Sequence, residues 1–372
     1  MGKVTKEKQP KKLILFNILD ILRKYTDEKH RLSQKEIQDM LEKRYEMTVD
    51  RKTVKNSLMC LEEFGYEIEY RETTRQIKNK RNGEMDESVI YSDFFLRRDF
   101  EDSELRLLID GLLFSRHLPY NQCKELVCKI EKLSNVYFKS RTKYIATIPH
   151  DRTNNQQLFH TIDVLDEAIA NNKKVKFKYL EYNMDLSQTA KKTPDGEDRI
   201  YIVSPYQMVA KEGKYYLICN YDCYDDVSNY RIDRIHDVEI TDEIIKPFEK
   251  LKGTDGQRLN LAQYMAEHVY MYSGNTSRIK MKVVKPMISD IIDMFGTNVT
   301  FMSHDETYVT ISVRADEMAV CQFAKNFAPD VIVLSPKSVR KRVIDMLQQG
   351  VNGYNEDKSG KDMNNVLNAK RF

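Results

Sequence analysis

The stretch S-N-Y-R-I-D-R-I at 228–235 sets Arg231, Asp233 and Arg234 among isoleucines and beside a tyrosine. A plain core strand has no use for three charged side chains. Two chemistries fit them: a buried structural ion pair, or a cationic surface that faces an anion. Regular strand alternation sends Arg231 and Arg234 to opposite faces. A bulge or a strand end brings them together; otherwise one of them is structural, paired with Asp233 or another acid.

Catalytic chemistry finds little to stand on. The chain has no G-x-x-x-x-G-K-[ST], G-x-S-x-G, H-E-x-x-H or G-x-G-x-x-G. Its seven histidines fall in different elements, and His304-Asp305-Glu306 reads as a polar hairpin turn. The six cysteines (60, 123, 128, 219, 223 and 321) have no C-x-x-C pair and no matching histidine interval. They read as thiols and not as a zinc site or disulfides. The expectation is a non-enzyme without metal or cofactor.

A second charged constellation lies near the N-terminus. Residues 51–57, R-K-T-V-K-N-S, put Arg51, Lys52, Thr53, Lys55 and Asn56 around a single apolar anchor, Val54. Acids favour the first turn of a helix, where the dipole is positive. First two turns that carry cations, hydroxyls and an amide instead offer donors to phosphates and base edges. Residues 1–82 carry 20 Lys and Arg against 14 Asp and Glu, an excess of +6 in a chain whose net charge is +3. A basic end on a near-neutral body is expected to meet a polyanion.

The elements that position these residues follow from periodicity. Leu13, Phe16, Ile18, Leu19 and Leu22 predict a first helix. S33-Q-K-E36 is a capping box that opens a second, with Ile37, Met40 and Leu41 inward. Asp50 caps the third helix, Val54, Leu58 and Leu61 line it, and Gly65 stops it. Two extended runs around Asn82-Gly83 then predict a hairpin whose arm carries Arg71, Arg75, Lys78, Lys80 and Arg81. Three helices and a basic hairpin make a winged helix-turn-helix, the hairpin gripping the phosphate backbone. Helices from Ser103 and Asn121 and over 156–171 form a connector.

From Lys173 the period changes to two. V-K-F-K-Y-L-E-Y, R-I-Y-I-V-S-P-Y-Q-M-V-A, Y-Y-L-I-C-N-Y, N-Y-R-I-D-R-I and D-V-E-I read as five strands of a small antiparallel barrel, with a polar loop after the first. A helix is expected over L-N-L-A-Q-Y-M-A-E-H-V-Y-M-Y. After it, the order β-α-β-β-α-β is ferredoxin-like.

The layout and three motifs resemble the WYL-domain transcriptional regulators. The motifs are Pro205-Tyr206, then Tyr215-Tyr216-Leu217, then Tyr230-Arg231-Ile232-Asp233-Arg234-Ile235. Tyr215 stands where the family's eponymous tryptophan would be, and the chain has no tryptophan. The resemblance runs from Leu13 to about Tyr354. It implies an Sm-like barrel that senses a nucleotide-type or single-stranded nucleic-acid ligand, with Tyr206, Tyr216, Arg231, Asp233 and Arg234 at the ligand site. It also implies a homodimer.

The expectation is therefore an α+β multidomain chain. A winged helix-turn-helix fills 11–98, a helical connector 99–155 and the WYL barrel with its preceding helix 156–246; a ferredoxin-like extension fills 257–354, and 355–372 is a polar, disordered tail. The expected function is ligand-responsive binding of operator double-stranded DNA. The alternative is an RNA- or single-strand-binding accessory protein that recognises no operator. No apolar run approaches the ~18–20 residues needed to cross a bilayer, and no cleavage site follows the basic N-terminus, so a cytoplasmic protein without membrane contact is expected.

Overall fold

A computed structural model describes residues 10–78, 85–115, 117–138, 153, 155–252, 254 and 256–356. The fold is mixed α/β, with N-terminal helices and antiparallel sheets, and it divides into two compact units at Asn154/Asn155.

The first unit opens with α1 (Ile14–Tyr25), α2 (Gln34–Tyr45) and α3 (Arg51–Glu63). Their ends are set locally. Ser33 Oγ accepts from the Glu36 amide while Glu36 accepts from the Ser33 amide (2.7 Å), which closes the capping box. Asp50 Oδ1 accepts from the Thr53 amide (2.7 Å), and Gly65 takes φ +111°, the left-handed stop that glycine adopts without strain. Ile18, Leu22, Ile37, Leu41, Val54 and Leu58 close one core with Ile68 and Phe94. The hairpin is β1 (Ile68–Lys78) against β2 (Met85–Leu96), in register as far as Lys78↔Met85. Helices α4 (Asp102–Phe114) and α5 (Tyr120–Glu131) pack on each other.

The second unit begins with α6 (Leu158–Ala170). A sheet follows from β3 (Lys173–Tyr182), β4 (Gln188–Ala190), β5 (Ile200–Lys211), β6 (Lys214–Tyr221), β7 (Ser228–Arg231) and β8 (Ile235–Ile244). The path is β4-β3-β5-β6-β7, with β8 also on β3 and every pair antiparallel. Among the described residues no ladder joins β7 to β8, so pairing does not close the expected barrel. The polar loop after β3 holds the unexpected β4. Asn183 and Ser187 close a turn (2.9 Å) with Leu186 at φ +65°, and a three-residue strand is too short to show alternation in sequence.

The helix expected over residues 259–272 is shorter. Only α7 (Leu261–Glu267) is helical, and the chain leaves it at His268 because Val269 turns into the next core. That core lies between one face of a sheet and three helices. Its elements are β9 (Thr276–Val284), α8 (Ile288–Phe295), β10 (Thr300–His304), β11 (Tyr308–Asp316), α9 (Glu317–Asn326), β12 (Val331–Ser335) and α10 (Lys337–Glu356). The strand order is β10-β11-β9-β12, all antiparallel. No described helix is long and apolar enough to cross a membrane.

Candidate anion and nucleic-acid sites

The run at 228–235 is not one strand. It is β7 ending at Arg231, a 3-10 turn over Ile232–Arg234, then β8 from Ile235. A 3-10 turn repeats every three residues, so residues three apart stack on one side. R-I-D-R-I has that period. Ile232 and Ile235 are fully buried, which turns Arg231 and Arg234 together to another side. The Asn155 amide holds the turn from behind, donating to the carbonyls of Asp233 (3.1 Å) and Ile235 (2.8 Å).

The two arginines differ in what they touch. Arg231 forms a bidentate pair with Asp233, Nε to Oδ1 at 3.0 Å and Nη2 to Oδ2 at 2.7 Å. Asp233 is 1% exposed, and Arg231 22%. Burial draws the Arg231 guanidinium down, but Asp233 outweighs it and holds the group above its ordinary value. Arg234 has no such partner. Its guanidinium lies 5.7 Å from the centre of the Tyr182 ring, and its Nε is buried without a hydrogen bond. A buried donor left empty costs ~1–3 kcal/mol, which an incoming acceptor recovers.

Tyr216 lies directly opposite Arg231 in the β6–β7 ladder. The Arg231 amide donates to the Tyr179 hydroxyl (3.1 Å). Burial raises the Tyr179 and Tyr216 hydroxyls, and the charges of both Arg231 and Arg234 pull each back, so both arginines act on the same two phenols. Tyr179 extends into an aromatic cluster with Tyr201 and Tyr230, centroids 6.1 and 5.1 Å away. Lys191 stands 6.0 Å from the Tyr179 ring centre, and Arg199 lies over Tyr201 (5.1 Å) and Tyr221 (5.6 Å). Tyr206 is engaged elsewhere: its hydroxyl donates to the Lys246 carbonyl (2.7 Å) and its ring meets Phe248 edge-on.

Tyr179, Tyr182, Lys191 and Arg199 were not among the sequence candidates. Tyr179 sits in an ordinary alternating strand, and the others flank the turns around β4, whose pairing no sequence pattern announces. A cleft of about 440 Å³ lies beside β3 and β8, lined by Lys176, Lys178, Asp237 and Glu239 among others. Its charges are already matched, Lys178 to Asp237 at 3.1 Å and Lys176 to Glu239 at 2.8 Å, so it suits an anion less well than the arginine turn does.

In the first unit, Arg51, Lys52 and Asn56 are exposed on α3, Thr53 and Lys55 half-buried, and Val54 and Leu58 buried beneath them. Lys55 Nζ lies 4.4 Å over the Tyr91 ring on β2, which ties this face of α3 to the hairpin. Every residue from Arg71 to Gln76 is exposed, so that arm of β1 has both faces in solvent. Arg71 leans on Asp93 (3.3 Å), and Arg75 lies opposite Ser88. Lys78 ends β1; Lys80, Arg81 and the Asn82-Gly83 turn lie outside the described residues.

The chain thus sets helices ahead of antiparallel sheets, with cations on α3 in the first unit and an arginine turn set on tyrosines in the second. Residues 160–240 match the family model of the WYL domain. The chain contains a WYL domain over those residues. Among solved structures it is similar to proteasome accessory factor B/C (PafBC) of Arthrobacter aurescens, at 11% identity and a TM-score of 0.27 over 95% of this chain. The match takes in 51% of the PafBC chain, so this chain spans about half its length. It is also similar to a CRISPR Cas-related protein, at 15% identity and a TM-score of 0.34 over 70% of this chain and 76% of that one. No curated protein matches.

Proposed function

We propose that the protein is a DNA-binding transcriptional regulator whose WYL domain senses an anionic, nucleotide-type or single-stranded nucleic-acid ligand. The observation that carries the DNA-binding half is the surface of α3. Its first two turns hold Arg51, Lys52, Lys55 and Asn56 over a core of Val54 and Leu58, with no acid among them. A helix with that face enters a major groove, and the hairpin after it contacts backbone. On this reading α1–α3 with β1–β2 is a winged helix-turn-helix, the sheet β3–β8 an open Sm-like barrel, and β9 to α10 a ferredoxin-like extension. The protein acts as a homodimer on half-sites one helical turn, or multiples of one turn, apart. Ligand at the arginine turn shifts the angle between the two reading heads, so ligand and operator affinities are coupled reciprocally.

The test is fluorescence polarisation with random duplex and single-stranded oligonucleotides at several salt concentrations. Arg51→Ala/Lys52→Ala is expected to weaken duplex binding and to make the log–log salt dependence shallower by about 1.8, at ~0.9 for each phosphate no longer neutralised. Unchanged duplex binding in that variant overturns the regulator reading in favour of a single-strand-binding accessory protein.

A further inference from the structure

The sheet of β9–β12 packs α8, α9 and α10 on one face only, although Ser312 on the other face is also covered. Ile279, Met281, Val283, Val309, Ile311 and Val333 meet those helices. The other face carries cations. Along β9, Arg278, Lys280 and Lys282 occupy alternate positions, the first two exposed, and alternation sets them ~6.8 Å apart in one row. The β9–β11 register puts Arg314 directly opposite Arg278, Ser312 opposite Lys280 and Thr310 opposite Lys282. On the other side β12 sets Ile332 opposite Lys282. Ile332 and Leu334 are exposed on this face, 40% and 36%.

We propose that this open face is a second binding surface, and that its ligand is single-stranded nucleic acid. Like charges directly opposite across two strands destabilise a sheet, so the pairing of Arg278 with Arg314 does nothing for folding. Glu267 of α7 matches Arg314 alone (3.1 Å), and Asp305 in the β10–β11 turn acts on Lys282. Among the described residues neither Arg278 nor Lys280 has an ion pair. What a row of cations at strand spacing fits is an extended polyanion with its charges in line. A duplex is the poorer fit, because the row lies along a strand of the sheet and not on a helix that could enter a major groove. Beside the row, together with the polar Ser312 and Thr310, stand the apolar Ile332 and Leu334 and the aromatic Tyr308, whose ring centre lies 4.0 Å from Lys282 Nζ. They give bases a surface to rest on, which an acidic peptide does not need.

This surface shares no residue with the arginine turn or with α3, so its failure and theirs are separable. The probe is fluorescein-labelled oligothymidylate of about ten nucleotides, within the usual range of single-strand sites. It is titrated against the full chain in an Arg51→Ala/Lys52→Ala background that weakens the contribution of α3. Arg278→Glu/Lys280→Glu is expected to weaken binding at least about tenfold and to make the log–log salt slope shallower by about 1.4, at ~0.7 per phosphate on a single strand. Both residues are exposed, so the melting temperature stays put and a folding defect is recognised if it moves; the milder Arg278→Gln/Lys280→Gln then repeats the test. Arg231→Ala/Arg234→Ala keeps this binding if the two surfaces are separate. Unchanged affinity in the Glu and Gln variants overturns the proposal. So does equal displacement of the probe by polyglutamate, which assigns the face to an acidic protein, or tighter binding of a duplex of the same length.

Discussion

Arg231 and Asp233, two residues apart, are joined by both guanidinium-to-carboxylate hydrogen bonds, and the carboxylate end is almost wholly out of solvent. The pair makes Arg231 a bridge between two roles. It anchors the 3-10 turn through Asp233, and it lends its charge to the Tyr179 and Tyr216 hydroxyls. Arg234 lacks the first role. Substitutions at the two arginines therefore give different results.

Arg231→Ala strands a buried carboxylate. Removing one partner of a buried pair costs ~3–5 kcal/mol, and the partial exposure of Arg231 places this case near ~2–3 kcal/mol. Urea denaturation measures it. Asp233→Asn is expected to cost less, because the arginine left behind still reaches water. If Arg231→Ala unfolds at the wild-type midpoint, the ion pair contributes nothing to stability, and the arginine is held in place for ligand alone.

Arg234→Met removes the charge and the partnerless Nε together while keeping the apolar stem. Relieving an empty buried donor offsets the weaker packing on Tyr182, so stability is expected to stay within about 1 kcal/mol of wild type. Binding of a short 5′-phosphorylated oligonucleotide is expected to drop at least about tenfold, as when a charge-assisted hydrogen bond is removed. Isothermal titration beside a melting curve separates the two quantities. A stability loss as large as that of Arg231→Ala shows Arg234 to be structural.

The capping box at α2 gives a pH signature. Hydrogen bonds from the Ser33 amide and hydroxyl hold the Glu36 carboxyl below its ordinary value of 4.5. A carboxylate depressed in the folded state adds stability that is fully present above the unfolded value. That contribution is lost as pH falls through the lower, folded one. Ser33→Ala is expected to cost about 1 kcal/mol at neutral pH. The difference from wild type narrows below about pH 4.5, as the acid loses its charge in both proteins. Thermal melts at pH 7 and pH 3.5 read this directly; a gap that stays constant means the hydroxyl alone does the capping.

The helix caps were legible because each is written within a single turn, Ser33 with Glu36 as a capping box and Asp50 as an N-cap. Their geometry depends on nothing distant. The alternation of β9 and β11 was legible for the same reason. The arginine turn is local in a different way. R-I-D-R-I reads as strand when period two is carried through it, although its arginines and isoleucines both recur every three residues. Buried Ile232 and Ile235 enforce that period of three only because the sheet and the Asn155 clamp lie behind the turn. Tyr179 and Arg199 join the aromatic cluster through ladders between β3, β5 and β6, long-range pairings that leave no mark within any one strand. His268 ends α7 early because the following residues belong to a different core, and helical propensity carries no information about that.

Glu267 sets the edge of the basic face on β9–β12. Its carboxylate takes Arg314 at 3.1 Å and also accepts from Gln263 within α7 (2.8 Å). An anion arriving on that face competes with Glu267 for Arg314. Glu267→Gln keeps the shape of α7 and removes the competitor. The ion pair is half-exposed on the arginine side, so its loss is expected to cost no more than ~0.5 kcal/mol. Oligothymidylate affinity is expected to rise roughly threefold, and the log–log salt slope to steepen by about 0.7, as one more cation becomes free to meet phosphate. Polarisation titrations at three salt concentrations, wild type beside variant, decide it. A higher affinity with an unchanged slope means that Arg314 gains no phosphate and that the effect is one of general charge. No change in either places the end of the binding row at Arg278 and Lys280, with Arg314 committed to holding α7 against the sheet.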